Sequence, residues 1–199
     1  MTNFEHSAEA RYKFFTKKLW EGIYHNNQGY TVIFVPHYFD FVRLRTFIKN
    51  KNAQVAFVSE YSEKKSCQRA RQTYESGKKP ILVLTERAIV FQKIRLRYAR
   101  NVIMYGVPTS IDTLTDCLGE VFNQDRWKPL LNHKLNIIKL DRELSEAKKL
   151  ETTKGLLREK HTEKSLVGLF DKFDRTNLER FVGTSAVKSV VEKEGKESF

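Results

Sequence analysis

The stretch ILVLTERAIVFQKIRLRYARNVIMYGVP, Ile81 to Pro108, opens on Ile-Leu-Val-Leu and closes on Asn-Val-Ile-Met-Tyr. Both ends are short, apolar and rich in β-branched residues, the pattern of strands buried on both faces. Between them stand Arg87, Lys93, Arg95, Arg97 and Arg100 against one acid, Glu86. A chain joins two core strands by so basic a segment for one of two reasons. The segment is an ordinary solvated connection, or an acidic partner lies against it.

Upstream, the same alternation repeats. Residues Ser7 to Tyr24 read as a helix, with Phe14, Phe15, Leu19 and Ile23 at helical spacing and Arg11, Lys13, Lys17 and Lys18 on the other faces. After the loop residues HNNQG come the strand TVIFV (Thr31–Val35) and, beyond Pro36, a helix from Tyr38 with Phe41, Leu44 and Ile48 on one face. Part of the set Tyr38, Phe39, Phe41 and Leu44 is expected to pack this helix on the sheet, with Arg43 and Arg45 pointing outward. A strand at Gln54–Val58 precedes a helix opened by Ser62 as its cap and closed by Gly77. Downstream of Pro108, SIDTLTDCLGEVF reads as a helix opened by Ser110 or Asp112, and KLNIIKL as a possible strand. DRELSEAKKLETTKGLLREKH has the composition of a charged helical insertion, SLVGLF that of a core strand, and the helix after it has Asp174 as its cap.

Fully apolar strands alternating with helices define an α/β fold, a parallel sheet with helices on both faces. The expected organisation is an N-terminal helix (1–27), a core (28–122), a charged insertion (123–163) and a final strand, helix and tail (164–199). Ligands of such sheets sit beyond the carboxyl ends of the strands. Here those ends carry Pro36 and His37, Ser59 and Glu60, Thr85 and Glu86, and Gly106 to Pro108.

Composition narrows the function. Lys plus Arg number 36 against 24 acids, a net charge of +12, which points to a polyanionic partner, nucleic acid foremost. Two cysteines, Cys67 and Cys117, are too few and too distant for a disulfide framework, and the expected compartment is cytosolic or nuclear. No apolar run reaches the roughly 18 residues of a membrane span. G-x-x-x-x-G-K-[ST] is absent, the five histidines lack ligand spacing, and no serine or cysteine sits in a nucleophile context. No catalytic residue, metal site, cofactor or small-molecule substrate is therefore expected. His37, at a strand end, reads as a loop histidine and Cys117 as a core thiol. What remains is cations near element ends: Arg43 and Arg45, Arg69 and Arg71, Lys78 and Lys79, then Thr85 with Arg87, Lys93, Arg95, Arg97 and Arg100. These are the candidate nucleic-acid-contacting residues, since Arg, Lys and helix N-termini suit phosphate oxygens, and the resemblance given next makes that nucleic acid RNA.

The blocks RQTYESGKKPILVLTE and RNVIMYGVP resemble the second RecA-like lobe of a DEAD-box RNA helicase. Tyr74 and Gly77, Thr85 with Glu86, and Tyr105 to Pro108 match that lobe's helix end, its Ala-Thr-Asp strand end and its Tyr-Asp-x-Pro strand end. EARYKFFTKK, FVPHYFDFVRLRTF, SEYSEKKSCQRAR, LTERAIVF, VIMYGVPT and LFDKFDRTNLERFVGTSAVK, in that order, are similar to the C-terminal part of the digestive organ expansion factor family. This resemblance covers most of residues 8–122 and about 164–188. It implies a single RecA-like domain in a DEAD-box-like nucleolar component of the small-subunit processome. The implied partners are pre-ribosomal RNA, the small nucleolar RNA–protein assembly and processome proteins.

The departures from active helicases matter as much. An active second lobe carries H-R-x-G-R-x-G-R, whose arginines contact the triphosphate, and here the place reads LTDCLGEV, Leu114 to Val121. Only Gly119 survives, while Asp116 and Glu120 would repel a triphosphate. The A-R-G-x-D run is replaced by ERAIVFQKIRL, with Lys93 near the missing acid. The resemblance thus implies a platform that has kept the fold and lost the engine. Two rivals stay open. One is the competent second lobe of an ATP-dependent RNA helicase, and the other is a module whose charge meets acidic proteins.

Overall fold

A computed structural model describes residues 4–25, 30–92, 94, 99–110, 112, 135–139, 165–170, 174–185 and 187. In chain order these form α1 (Phe4–Phe14), a π-helical turn (Phe15–Leu19), α2 (Trp20–His25), β1 (Thr31–Val35), α3 (Tyr38–Asn50), β2 (Val55–Val58), α4 (Lys64–Glu75), β3 (Ile81–Thr85), α5 (Glu86–Gln92), β4 (Asn101–Met104), β5 (Leu135–Lys139), β6 (Ser165–Phe170) and α6 (Arg175–Val182). Among the described residues the sheet has six strands in the order β2-β3-β1-β4-β6-β5, and every neighbouring pair is parallel. The connections after β1 and after β4 lead to opposite halves of the sheet. The crevice between the carboxyl ends of β1 and β4 is therefore the place where such a sheet takes its ligand.

Alternate residues of β1 to β4 and β6 feed two separate cores. Ile33, Val35, Ile81, Val83, Ile103 and Tyr105 meet Phe15, Leu19, Trp20, Phe41, Leu44 and Ile48 of the N-terminal helices and α3. Val32, Phe34, Leu82, Leu84, Val102 and Met104 meet Cys67 and Tyr74 of α4, Ala88 and Ile89 of α5, and Leu178 of α6. Burial on both faces is why the strands read as unbroken apolar runs.

The N-terminal helix departs from regular α geometry at Phe15–Leu19, a π-helical turn. The wider turn lets Phe15, Leu19, Trp20 and Ile23 all reach the sheet. Gly77 closes α4 as expected, at φ 74, with its N–H bonded to the Tyr74 carbonyl at 3.0 Å. KLNIIKL does form a strand, β5, which pairs with β6 at the sheet edge. A sheet strand thus falls within 123–163, and the helix expected after it, like Cys117 and Leu114–Val121, lies outside the described residues.

Both expected helix caps need correction. The residue before α4 is Glu63, without a side-chain cap bond. Ser62 stands one position too early, and its Oγ instead accepts the Ser59 N–H at 2.9 Å, tying off the turn after β2. Asp174 does precede α6 but has αR backbone and makes no cap bond. Its carboxylate is taken by Arg11.

Candidate nucleic-acid interface

The carboxyl ends of the strands divide into two unlike regions. At the ends of β1, β4 and β6 the chain fills its own crevice. Arg11 of α1, assigned by sequence to an outer face, is buried at 7% exposure. Its Nη2 donates to Asp174 Oδ2 at 2.7 Å, and its guanidinium stands 6.0 Å from the Tyr105 ring centre. Gly106 lies against this group so closely that a Cβ there would be 3.1 Å from Arg11 Nη1 and 3.2 Å from Pro36 Cγ. Tyr105, packed edge-on against Phe15, is held neutral to unusually high pH by burial. Burial also raises the Asp40 carboxyl above the ordinary aspartate range, against the opposing pull of Arg11, His37 and Arg43.

At the ends of β2 and β3 the polar groups are spent on loop architecture. Thr85 is 1% exposed, its hydroxyl donating to Glu60 Oε2 at 2.6 Å and accepting the Ala88 N–H at 3.3 Å. Its hydroxyl is thus engaged within the protein. Glu86, also buried, accepts the Thr109 and Ser110 N–H groups at 3.0 and 2.6 Å and fixes the turn after β4. His37 is exposed at the start of α3, where its carbonyl accepts the Phe41 N–H at 3.1 Å. Among the described residues no group of three or more His, Cys, Asp or Glu could hold a metal.

The candidate cations are spread over the fold rather than gathered. Arg43, expected to point outward, is half-buried. Its Nη2 donates to Glu9 Oε2 at 2.6 Å, its guanidinium lies 4.2 Å from the Tyr12 ring centre, and this hydrogen bond holds the Glu9 carboxyl below its ordinary range. Arg71 faces Glu75 at 3.7 Å. Arg45, Arg69, Lys78 and Arg87 are exposed, with no ion-pair partner among the described residues. Arg87 opens α5 at the carboxyl edge. Lys78 and half-buried Lys79 lead into β3, and Arg100, whose N–H donates to the Tyr30 carbonyl at 2.8 Å, leads into β4, so these three mark the opposite, amino edge. Lys93, Arg95 and Arg97 lie outside the described residues.

Sequence reasoning missed the Arg11–Asp174 pair, because 163 positions separate the partners and neither has a local signature. It also missed that Phe39 is 84% exposed, Phe91 69% and Tyr61 68%. For Phe39 a signal existed. It falls off the stripe of Phe41, Leu44 and Ile48, about 200° around the helix from Phe41.

Comparison with known proteins places this geometry. The family described as Utp25, C-terminal domain, matches residues 1–199. Protein NUCLEOLAR FACTOR 1 of Arabidopsis thaliana is 26% identical over 186 residues, covering 94% of this chain and 20% of that protein. U3 small nucleolar RNA-associated protein 25 of Podospora anserina is 26% identical over 194 residues, covering 94% of this chain and 25% of that protein. The chain thus spans about a quarter or less of these relatives. Among solved structures, the E. coli DEAD-box protein SrmB, crystallised with regulator of ribonuclease activity A, superposes with a TM-score of 0.56 at 13% identity, over 89% of this chain and 79% of that one. That likeness is one of fold, a RecA-like helicase lobe.

Proposed function

The chain belongs to the Utp25 family, and on that premise we propose that it is a non-catalytic, helicase-like scaffold of the small-subunit processome. It acts in the nucleolus, in ribosome biogenesis and pre-rRNA processing, by holding precursor RNA and processome proteins. The digestive organ expansion factor resemblance is a finer naming of the same family. The relatives' names supply the setting, U3 small nucleolar RNA and the nucleolus. The observation that carries the non-catalytic reading is the crevice between β1 and β4. There Arg11 and Asp174 spend their charges on each other, with Arg11 Nη1 and Pro36 Cγ packed close over Gly106. With LTDCLGEV in place of the arginine helix, nothing remains to stabilise a transferring phosphoryl group. The rival, an active helicase lobe, needs those arginines.

RNA is held by charge. Arg45, Arg69, Lys78, Lys79, Arg87 and Arg100, with Lys93, Arg95 and Arg97, are the proposed phosphate contacts. Calorimetry with ATP and magnesium should give no heat of binding, and RNA should provoke no turnover; micromolar affinity would end the non-catalytic reading. Binding of single-stranded RNA should weaken with salt at about −0.7 log units of K per log unit of salt for each phosphate contacted. Changing Arg95 and Arg97 together to Ala should flatten that slope by roughly one to two units, for all sequences alike. An unchanged slope with loss of a processome protein would make the basic segment a protein dock.

A further inference from the structure

Phe39, Phe91 and Tyr61 are the most exposed large apolar side chains among the described residues, and all three belong to the carboxyl edge of β1, β3 and β2, three neighbouring strands. Phe39 starts α3 just after β1, Tyr61 lies in the turn after β2, and Phe91 sits in α5 after β3. The Tyr38 ring stands between the first two, 6.4 Å from Phe39 and 4.7 Å from Tyr61 between centroids, both at steep angles. Tyr38 in turn stacks on buried Phe41 at 6.0 Å, which meets Phe57 edge-on at 6.2 Å. Phe39 and Tyr61 are thus linked to the core through Tyr38. Gln92 Nε2 donates to the Ser62 carbonyl at 3.0 Å, tethering the end of α5, with Phe91, to the turn that carries Tyr61.

From this placement we propose that Phe39, Tyr61 and Phe91 form a stacking platform for unpaired bases, so that the chain takes single-stranded RNA rather than duplex. Aromatic faces beside cations are the two parts of such a site, one meeting bases and the other phosphates. Both are present. Arg87, Val90 and Phe91 share one face of α5 at spacings of three and four, Arg45 lies one turn beyond half-exposed Val42 on α3, and His37 is exposed beside Phe39. Among the described residues the other exposed large apolar side chains are Tyr24, Val42 and Val90. A duplex hides its base faces in its own stack and has nothing to lay on these rings.

The inference rests on the proposed RNA-binding role, and its test separates the two. Full-length protein is titrated with a labelled U-rich single strand, with the same strand made abasic, and with a duplex of equal length. The variant is Phe39→Leu with Tyr61→Leu, which keeps apolar area and removes the ring faces. Loss of each stacked base should cost about 5- to 150-fold in Kd. The variant should therefore bind the intact strand at least tenfold more weakly, bind abasic strand and duplex as before, and keep its salt slope, since no cation is lost. Phe91→Leu should act in the same direction. If the variants bind the intact strand like the native chain, or if the native chain does not favour it over the abasic strand, the platform is wrong. The RNA-binding role itself survives that result as long as Arg95 and Arg97 still set the salt slope. Full RNA binding with loss of a processome protein makes the patch a protein dock and overturns the platform. No binding to any RNA overturns both.

Discussion

The two halves of the sheet's carboxyl edge are built from the same kind of strand ends and put to opposite uses. Around β1, β4 and β6 the edge is closed by Arg11 on Asp174 over Gly106. Around β2 and β3 the backbone is tied down by Thr85, Glu60 and Glu86, yet here, and on the start of α3 that packs beside them through Tyr38 and Tyr61, large rings are left in solvent. The contrast teaches that strand ends of one kind can either be packed shut by an internal charge pair or leave rings in solvent, depending on which elements lie beside them. The closed half is held by a charge pair that faces inward, and the open half by rings that face outward on a packed base.

The largest effect that would break this contrast lies within α3. Phe41 is 1% exposed, and Phe41→Ala should cost ~3–5 kcal/mol in urea unfolding, the penalty of a deleted core aromatic. Phe39→Ala, two positions away, should stay within ~0.5 kcal/mol. Similar values for the two would mean that Phe39 is covered in solution and that the open half is not open.

Next comes the closed half. Arg11→Met removes the cation of the Arg11–Asp174 ion pair, whose side chains are 9% and 18% exposed, and should cost ~3 kcal/mol. Adding Asp174→Asn to Arg11→Met should return a good part of that loss, because a largely buried carboxylate deprived of this cation costs more than the missing bond. A double variant no more stable than Arg11→Met alone would show that Arg11 acts by packing its stem.

The smallest effect sharpens the electrostatics of the boundary between the halves. Asp40 has its pKa raised by burial, so the folded state binds its proton more tightly than the unfolded one. Its contribution favours folding in acid and is lost as pH rises from the ordinary aspartate range through the raised value. Asp40→Asn should therefore stabilise slightly at neutral pH and remove that part of the decline. Urea midpoints taken between acid and neutral pH, native against variant, measure it. Equal pH dependence in the two chains would mean that Arg11, His37 and Arg43 already balance the burial.

Much of the fold could be read directly. TVIFV, ILVLT and SLVGLF are apolar without alternation, and Phe41, Leu44 and Ile48 repeat at helical spacing, so strands, helices and the parallel sheet followed from local pattern. The caps were misjudged for an equally local reason. Ser62 and Asp174 have cap chemistry, but one is a residue early and the other is drawn off by Arg11. The cations could be counted but not placed, and only the topology puts Arg87 at one edge and Lys78, Lys79 and Arg100 at the other.

Sequence by itself determined the fold class and the +12 charge, since each is written in neighbouring residues or in simple sums over them. Tertiary structure alone decided which polar groups are spent and which are free. Arg11 and Lys13 look alike in the chain, yet one is buried against a carboxylate 163 residues away while the other stays on the surface. Thr85 and Phe39 are likewise reversed, the hydroxyl hidden and the ring exposed. Burial and pairing depend on which elements the sheet brings side by side, and that order, β2-β3-β1-β4-β6-β5, is a non-local choice made by packing.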